Sequence, residues 1–85
     1  MIYYASPSFW VAYYALPSHI QKIAKRNYAL LKNNPKHPSL HFKKINCYWS
    51  ARAGINYRAL AVETGDDLLW FWIGSHANYD KLIKA

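Results

Sequence analysis

Apolar positions along the chain recur first at a helical period and then at a strand period, and the change falls at a proline-rich turn near residue 35. Residues 2–5, IYYA, form a short apolar and aromatic run that reads as an edge strand. Ser6-Pro7 follows as N-cap and first helical residue. Phe9, Trp10, Tyr13 and Tyr14 then recur at helical spacing and give one adhesive face, suited to core packing or to stacking on bases. Pro17 ends this helix, and Ser18 is expected to cap a second one that reaches about Lys32, with Ile20, Ala24, Tyr28 and Leu31 as its apolar stripe.

NNPKHP at residues 33–38 is a turn cluster. Beyond it Leu40 and Phe42 alternate with His41 and Lys43, which predicts a strand with His41 and Lys43 on the face away from the helices. Lys44 would follow Leu40 and Phe42 inward or snorkel from the strand end. The next strand spans 47–52, and a turn around Gly54 leads into another at 57–63. A three-residue turn, Gly54-Ile55-Asn56, pairs Arg52 with Arg58 on one face, whereas a two-residue turn separates them; the paired register is expected. Thr64-Gly65-Asp66-Asp67 is a hairpin turn, and LLWFWI at 68–73 has the two-sided apolar character of a central strand. Simple alternation puts Trp70 and Trp72 on one face, as core or as base platforms. Gly74 is expected to end that strand. Ser75 is expected to cap a terminal helix carrying His76, Tyr79, Leu82 and Ile83.

These elements assemble into a small α+β domain over residues 1–85. An N-terminal strand and a two-helix hairpin pack on a four-to-five-stranded, mostly antiparallel sheet, and a short C-terminal helix closes the chain. The helices should cover one face of the sheet and leave the other concave and basic.

Charge sharpens this picture. Eleven Lys and Arg stand against Glu63, Asp66, Asp67 and Asp80, a net charge of +7. Such an excess favours nucleic acid, an anionic membrane or an acidic protein partner. Residues 40–58, LHFKKINCYWSARAGINYR, contain no acid and interleave cations with Tyr, Trp and His, which suits RNA. Cys47 is the single cysteine, so neither an intrachain disulfide nor a cysteine metal cluster can form. The opening MIYYASPSFW lacks the pattern of a secretory signal, and no apolar run approaches the roughly 20 residues of a membrane span. A cytoplasmic location without membrane contact is therefore expected.

Four acids, two in one hairpin turn and the others on separate elements, are a poor set for a metal-dependent nuclease, so no metal and no cofactor are expected. RNA can instead be cut by its own 2′-OH, given a base, a phosphate clamp and an acid. Arg58 is the foremost phosphate ligand, because its guanidinium can donate to two oxygens. Arg52 joins it in the paired register. His76 has an unperturbed pKa near working pH and suits acid or base. Tyr79 lies three residues on, sharing a side of the helix with His76; it either donates a proton, stacks on a base or packs the helix onto the sheet. Lys43 can polarise the 2′-OH or the phosphate. Lys44 and His41 complete the set as RNA-binding residues.

Three segments resemble the RelE/ParE superfamily of toxins from type II toxin–antitoxin systems. They are LPSHIQKIAKRNYALLKNNPKHPSLHFKKI, YWSARAGINYRALAV and WFWIGSHANYDKLI. The middle one, with an arginine before the turn and Tyr57-Arg58 after it, is the most family-like. The resemblance implies a RelE-like fold and a metal-independent endoribonuclease that cuts mRNA, often on the ribosome, and so inhibits translation. It also implies a cognate antitoxin, through which the complex can bind operator DNA. Arg58 matches the family arginine after the turn, and His76 with Tyr79 resembles the His and Tyr of nuclease members. Some of those members place the two side by side, while here two residues separate them. The ParE branch, which inhibits DNA gyrase without nuclease activity, generally lacks that pair and stands as the alternative, beside a non-catalytic basic RNA-binding module.

Overall fold

The computed structural model describes residues 2–84. Strand β1 (Tyr3–Ala5) leads into helices α1 (Pro7–Tyr14) and α2 (Ser18–Asn33). After a 3₁₀ turn at Pro38–Leu40 come β2 (Lys43–Ile45), β3 (Tyr48–Arg52), β4 (Tyr57–Thr64) and β5 (Asp67–Ser75), then helix α3 (His76–Lys84). The five strands order as β1-β5-β4-β3-β2. β1 runs parallel to β5, and every other pair is antiparallel. The predicted small α+β architecture is the observed one.

Local chemistry sets the element ends. The Ser6 hydroxyl accepts from the Phe9 amide at 3.3 Å and so caps α1 ahead of Pro7, as the Ser-Pro pair predicts. Helix α2 starts differently: Pro17 occupies the cap position, its carbonyl accepts from the Ile20 and Gln21 amides at 3.0 Å each, and Ser18 provides no cap. The strand expected from Leu40 begins only at Lys43. Leu40 closes the 3₁₀ turn, and His41 takes a left-handed backbone at φ 45°. The third strand starts at Tyr48, because Asn46-Cys47 forms a two-residue turn with Asn46 at φ 54°, a conformation asparagine tolerates.

The core lies between the sheet and the α1–α2 hairpin. Leu31 and Leu40 meet Ala51, Ala53, Ala59, Ala61, Leu68, Trp70 and Ile73 there, with Phe9 and Tyr13 packed alongside. Alanines at three sheet positions, Ala51, Ala59 and Ala61, leave room for the large rings opposite them. Lys44 belongs to this side too, at its edge. It pairs with Glu63 at 3.3 Å, and Glu63 also accepts from the Trp49 indole at 2.8 Å. Those two bonds, the indole first, hold the Glu63 carboxyl below its ordinary pKa.

β5 departs from simple alternation. Ala61 faces Trp70 and Leu60 faces Trp72, so Phe71 is an extra residue in a bulge. The Ser8 hydroxyl donates to the Phe71 carbonyl at 2.9 Å. The bulge reverses the alternation, so Trp70 points into the core and Trp72 onto the opposite face, contrary to the shared face expected from sequence. Gly74 does not end the strand, which runs one residue further to Ser75.

The second face is not left open, which corrects the expectation of a bare concave surface. Helix α3 starts at the β3–β4 turn, where the His76 amide donates to the Asn56 carbonyl at 2.7 Å. Its far end meets the β2–β3 turn, where the Asn46 side chain donates to the Ile83 carbonyl at 3.1 Å. The helix therefore crosses this face, and Leu60, absent from the core on the other side, is fully buried, as is Ser50 at 2% exposure. The Ser75 hydroxyl accepts from the Asn78 amide at 3.2 Å, the cap that the sequence predicts.

Candidate nucleic-acid interface

The β3–β4 connection builds the site. Arg52 pairs with Arg58 and the Ala53 amide donates to the Tyr57 carbonyl at 3.0 Å, so Gly54-Ile55-Asn56 is the three-residue tip. Gly54 has φ +90°, which glycine adopts without the cost that a Cβ brings. The predicted register therefore holds, and the two arginines stand directly opposite each other on the second face of the sheet.

Like charges at such close quarters repel. Arg58 meets this by donating from Nη1 to three carbonyls of its own turn: Tyr57 at 2.8 Å, and Gly54 and Ile55 at 3.3 Å each. Among the described residues its Nε and Nη2 have no protein acceptor in those bonds, so one edge of the fork is anchored and the rest is available. Its pKa is lowered, first by burial and then by Arg52, with Tyr79 and Asp80 opposing; the group remains a cation at any working pH. The Arg52 Nε is buried with no acceptor. A buried donor of that kind is costly to leave unmade.

Helix α3 adds the neighbouring groups. His76 is exposed, and its Nδ1 lies 3.3 Å from Asp80 Oδ2 one turn on. With Nδ1–H on the carboxylate, Nε2 is the free acceptor. The Tyr79 ring centroid is 5.7 Å from that of His76, but Tyr79 is only 5% exposed, so most of the side chain packs the helix onto the sheet. Its hydroxyl and Asp80 both act on the Arg58 charge.

The structure thus gathers Arg52, Arg58, His76 and Tyr79 at one end of the sheet. Lys43 pairs with Ser50 and so shares their face, exposed at the outer strand two strands away from Arg58. Lys44 is on the other face, tied to Glu63, and is not brought to the group. His41 is exposed, but the strand alternation that would align it with Lys43 does not extend to it.

Sequence reading missed Asp80 and misplaced Trp72. Asp80 was legible as the i+4 partner of His76. For Trp72 the signal was Gly74, a residue without a side chain at the next same-face position of the strand.

Similar proteins agree with this architecture. A family model described as ParE-like toxin domain matches residues 18–81. Among curated protein sequences, none matches the chain. Of solved structures, the RelB–RelE antitoxin–toxin complex from Methanococcus jannaschii contains a chain that is similar at 22% identity, covering 93% of this chain and 96% of that one, with a TM-score of 0.71. YafQ from E. coli is similar at 16% identity over 92% and 96% of the two chains, with a TM-score of 0.72. The YoeB/ParE toxin from Agrobacterium tumefaciens is similar at 16% identity over 89% and 99%, with a TM-score of 0.65. At these identities the likeness is one of fold.

Because the φ of Gly54 sets the arginine register, Gly54→Ala is expected to lower unfolding stability by about 1–2 kcal/mol. Gly54→Asn is expected to lower it less. Urea denaturation of the three proteins measures the difference.

Proposed function

The chain belongs to the ParE-like toxin domain family, and from that premise we propose that it is the toxin of a type II toxin–antitoxin pair, acting as a metal-independent endoribonuclease on translated mRNA. The observation that carries this reading is the cross-strand arginine pair beside His76. Two cations and a free imidazole nitrogen are what cleavage by the RNA's own 2′-OH requires.

In this mechanism the scissile phosphate sits against Arg52 and the free donors of Arg58. The 2′-oxygen forms a bond to the adjacent phosphorus as His76 Nε2 takes its proton. The bond from phosphorus to the 5′-oxygen breaks, leaving a 2′,3′-cyclic phosphate and a 5′-hydroxyl. The leaving oxygen takes a proton from Tyr79 on the other side of the phosphorus, and Tyr79 regains it from solvent as His76 releases its own. Lys43 lies along the same face to hold the strand. Among the described residues no three His, Cys, Asp or Glu side chains gather in one place.

The antitoxin would have a distinct seat. Helix α1, PSFWVAYY, is uncharged; Phe9, Ala12 and Tyr13 pack on the core, yet its other large apolar side chains stay exposed. Trp10, Val11 and Tyr14 are 45%, 74% and 69% exposed. A helix of that character is normally covered. Between α1, α2 and the sheet lies a cavity of about 620 Å³, lined by Trp10, Tyr14, Tyr28 and Lys25 among others. No acid precedes Glu63, and α2 contributes Lys22, Lys25, Arg26 and Lys32. A second copy would bring the same positive charge, so an acidic amphipathic helix of the antitoxin is the fitting occupant. The relative from Methanococcus jannaschii, solved as an antitoxin–toxin complex, supports a partner of this kind.

In a translation extract programmed with one defined mRNA, the protein is expected to create new RNA ends on the translated message. Arg58→Ala abolishes them, and His76→Ala slows them by about 10²–10⁴-fold. Intact message with the wild-type protein would instead direct attention to DNA gyrase. Trp10→Ala is expected to weaken the antitoxin complex roughly 30-fold, as loss of one aromatic anchor does, while cutting is unchanged. Calorimetric titration with the antitoxin reads the first effect, and the extract reads the second.

A further inference from the structure

Trp72 and Phe71 are the aromatic side chains of β5 outside the core cluster, and Phe71 packs against Tyr48 at 5.6 Å. Trp72 pairs with Leu60 on the second face of the sheet, and Gly74 pairs with Arg58 in the next row along the same face. The indole leans into that row: a Cβ on Gly74 would stand 2.5 Å from Trp72 Cζ2 and 3.0 Å from Cη2. The ring therefore rests on bare backbone at the one position beside Arg58 that has no side chain. Trp72 is partly exposed, and among the described residues it stacks on no other ring. The tryptophan that the core does use, Trp70, points the other way and lies 6.3 Å from Phe42. The bulge at Phe71 is what separates their roles.

From this geometry we infer that Trp72 is a stacking platform for one nucleobase of the bound strand, set beside the phosphate held by Arg58 and Arg52, with Gly74 as the floor that lets the ring lie there. The inference deepens the nucleic-acid reading above and rests on it. A flat π-face next to two phosphate-binding cations fits a base with its own backbone phosphate, and stacking of this kind tolerates all four bases. Trp72 would thus set how the strand is threaded past the arginines without taking part in proton transfer.

The test uses two noncleavable oligonucleotides of equal length and charge, a 2′-O-methyl RNA and its abasic counterpart. Binding is measured by calorimetry over a series of salt concentrations. The wild-type protein is expected to prefer the base-bearing strand by about 5–150-fold, the range for one base–aromatic stack. Trp72→Leu brings that preference close to one while leaving the salt dependence intact. Trp72→Phe retains part of the preference and guards against a folding artefact. Gly74→Ala displaces the ring and reproduces the effect of Trp72→Leu with every charge in place. Arg58→Ala does the reverse, lowering the salt slope by about one.

A base preference that Trp72→Leu leaves unchanged overturns the platform, and if binding is still salt-dependent and weakened by Arg58→Ala, the nucleic-acid reading stands without it. Absence of salt-dependent binding to either strand overturns both.

Discussion

Two arginines held opposite each other on neighbouring strands are the constraint around which this protein is built. Pairing Arg52 with Arg58 sets like charges against each other, which a sheet ordinarily avoids. The turn absorbs part of the cost by wrapping three carbonyls around one Arg58 nitrogen. What remains is a buried, unpartnered Arg52 Nε beside the unsatisfied edge of Arg58. Two guanidinium groups set this close together suit an anion placed between them. The glycine at φ +90°, the contact of Asn56 with the first amide of α3 and the placement of His76 all follow from closing that turn.

The sheet divides the labour of the protein between its two faces. One face carries small alanines and receives the α1–α2 hairpin, so the core there depends on shape. The other face carries Arg52, Arg58, Lys43, Leu60 and Trp72, and is crossed by α3, which brings His76 to the arginines while Tyr79 fastens the helix. A single bulge at Phe71 lets adjacent tryptophans serve both faces. The exposed aromatics of α1 border the core-side cavity, whose lining also includes Arg52, while Arg58 and His76 stand toward the opposite face.

Much of this was legible in the sequence because it is written in local chemistry. Ser6-Pro7, Pro17 and Ser75 mark helix ends, and the spacing from Arg52 to Arg58 specifies the turn and hence the shared face. The RelE/ParE resemblance rested on that same segment. What was not legible is set by tertiary context. A bulge has no reliable sequence signature, so simple alternation puts Trp70 and Trp72 on one face. The turn at Pro38–Leu40 consumed residues whose alternation imitated a strand, which misplaced His41. Lys44 read as part of one basic run, whereas Glu63 captures it on the opposite face. The path of α3 over the second face follows from contacts at both its ends, with Asn56 and Asn46, that no periodicity reveals.

The central claim is that the arginine pair, and not the cations of α2, is where the nucleic acid binds. Arginine side-chain NMR tests it directly, following the Nε–H signals of Arg26, Arg52 and Arg58 as a short noncleavable RNA is added. Large, saturable shifts are expected at Arg52 and Arg58, with Arg26 nearly still. Shifts concentrated at Arg26, with the paired arginines unmoved, would contradict it and relocate the nucleic-acid surface to the helical side of the sheet.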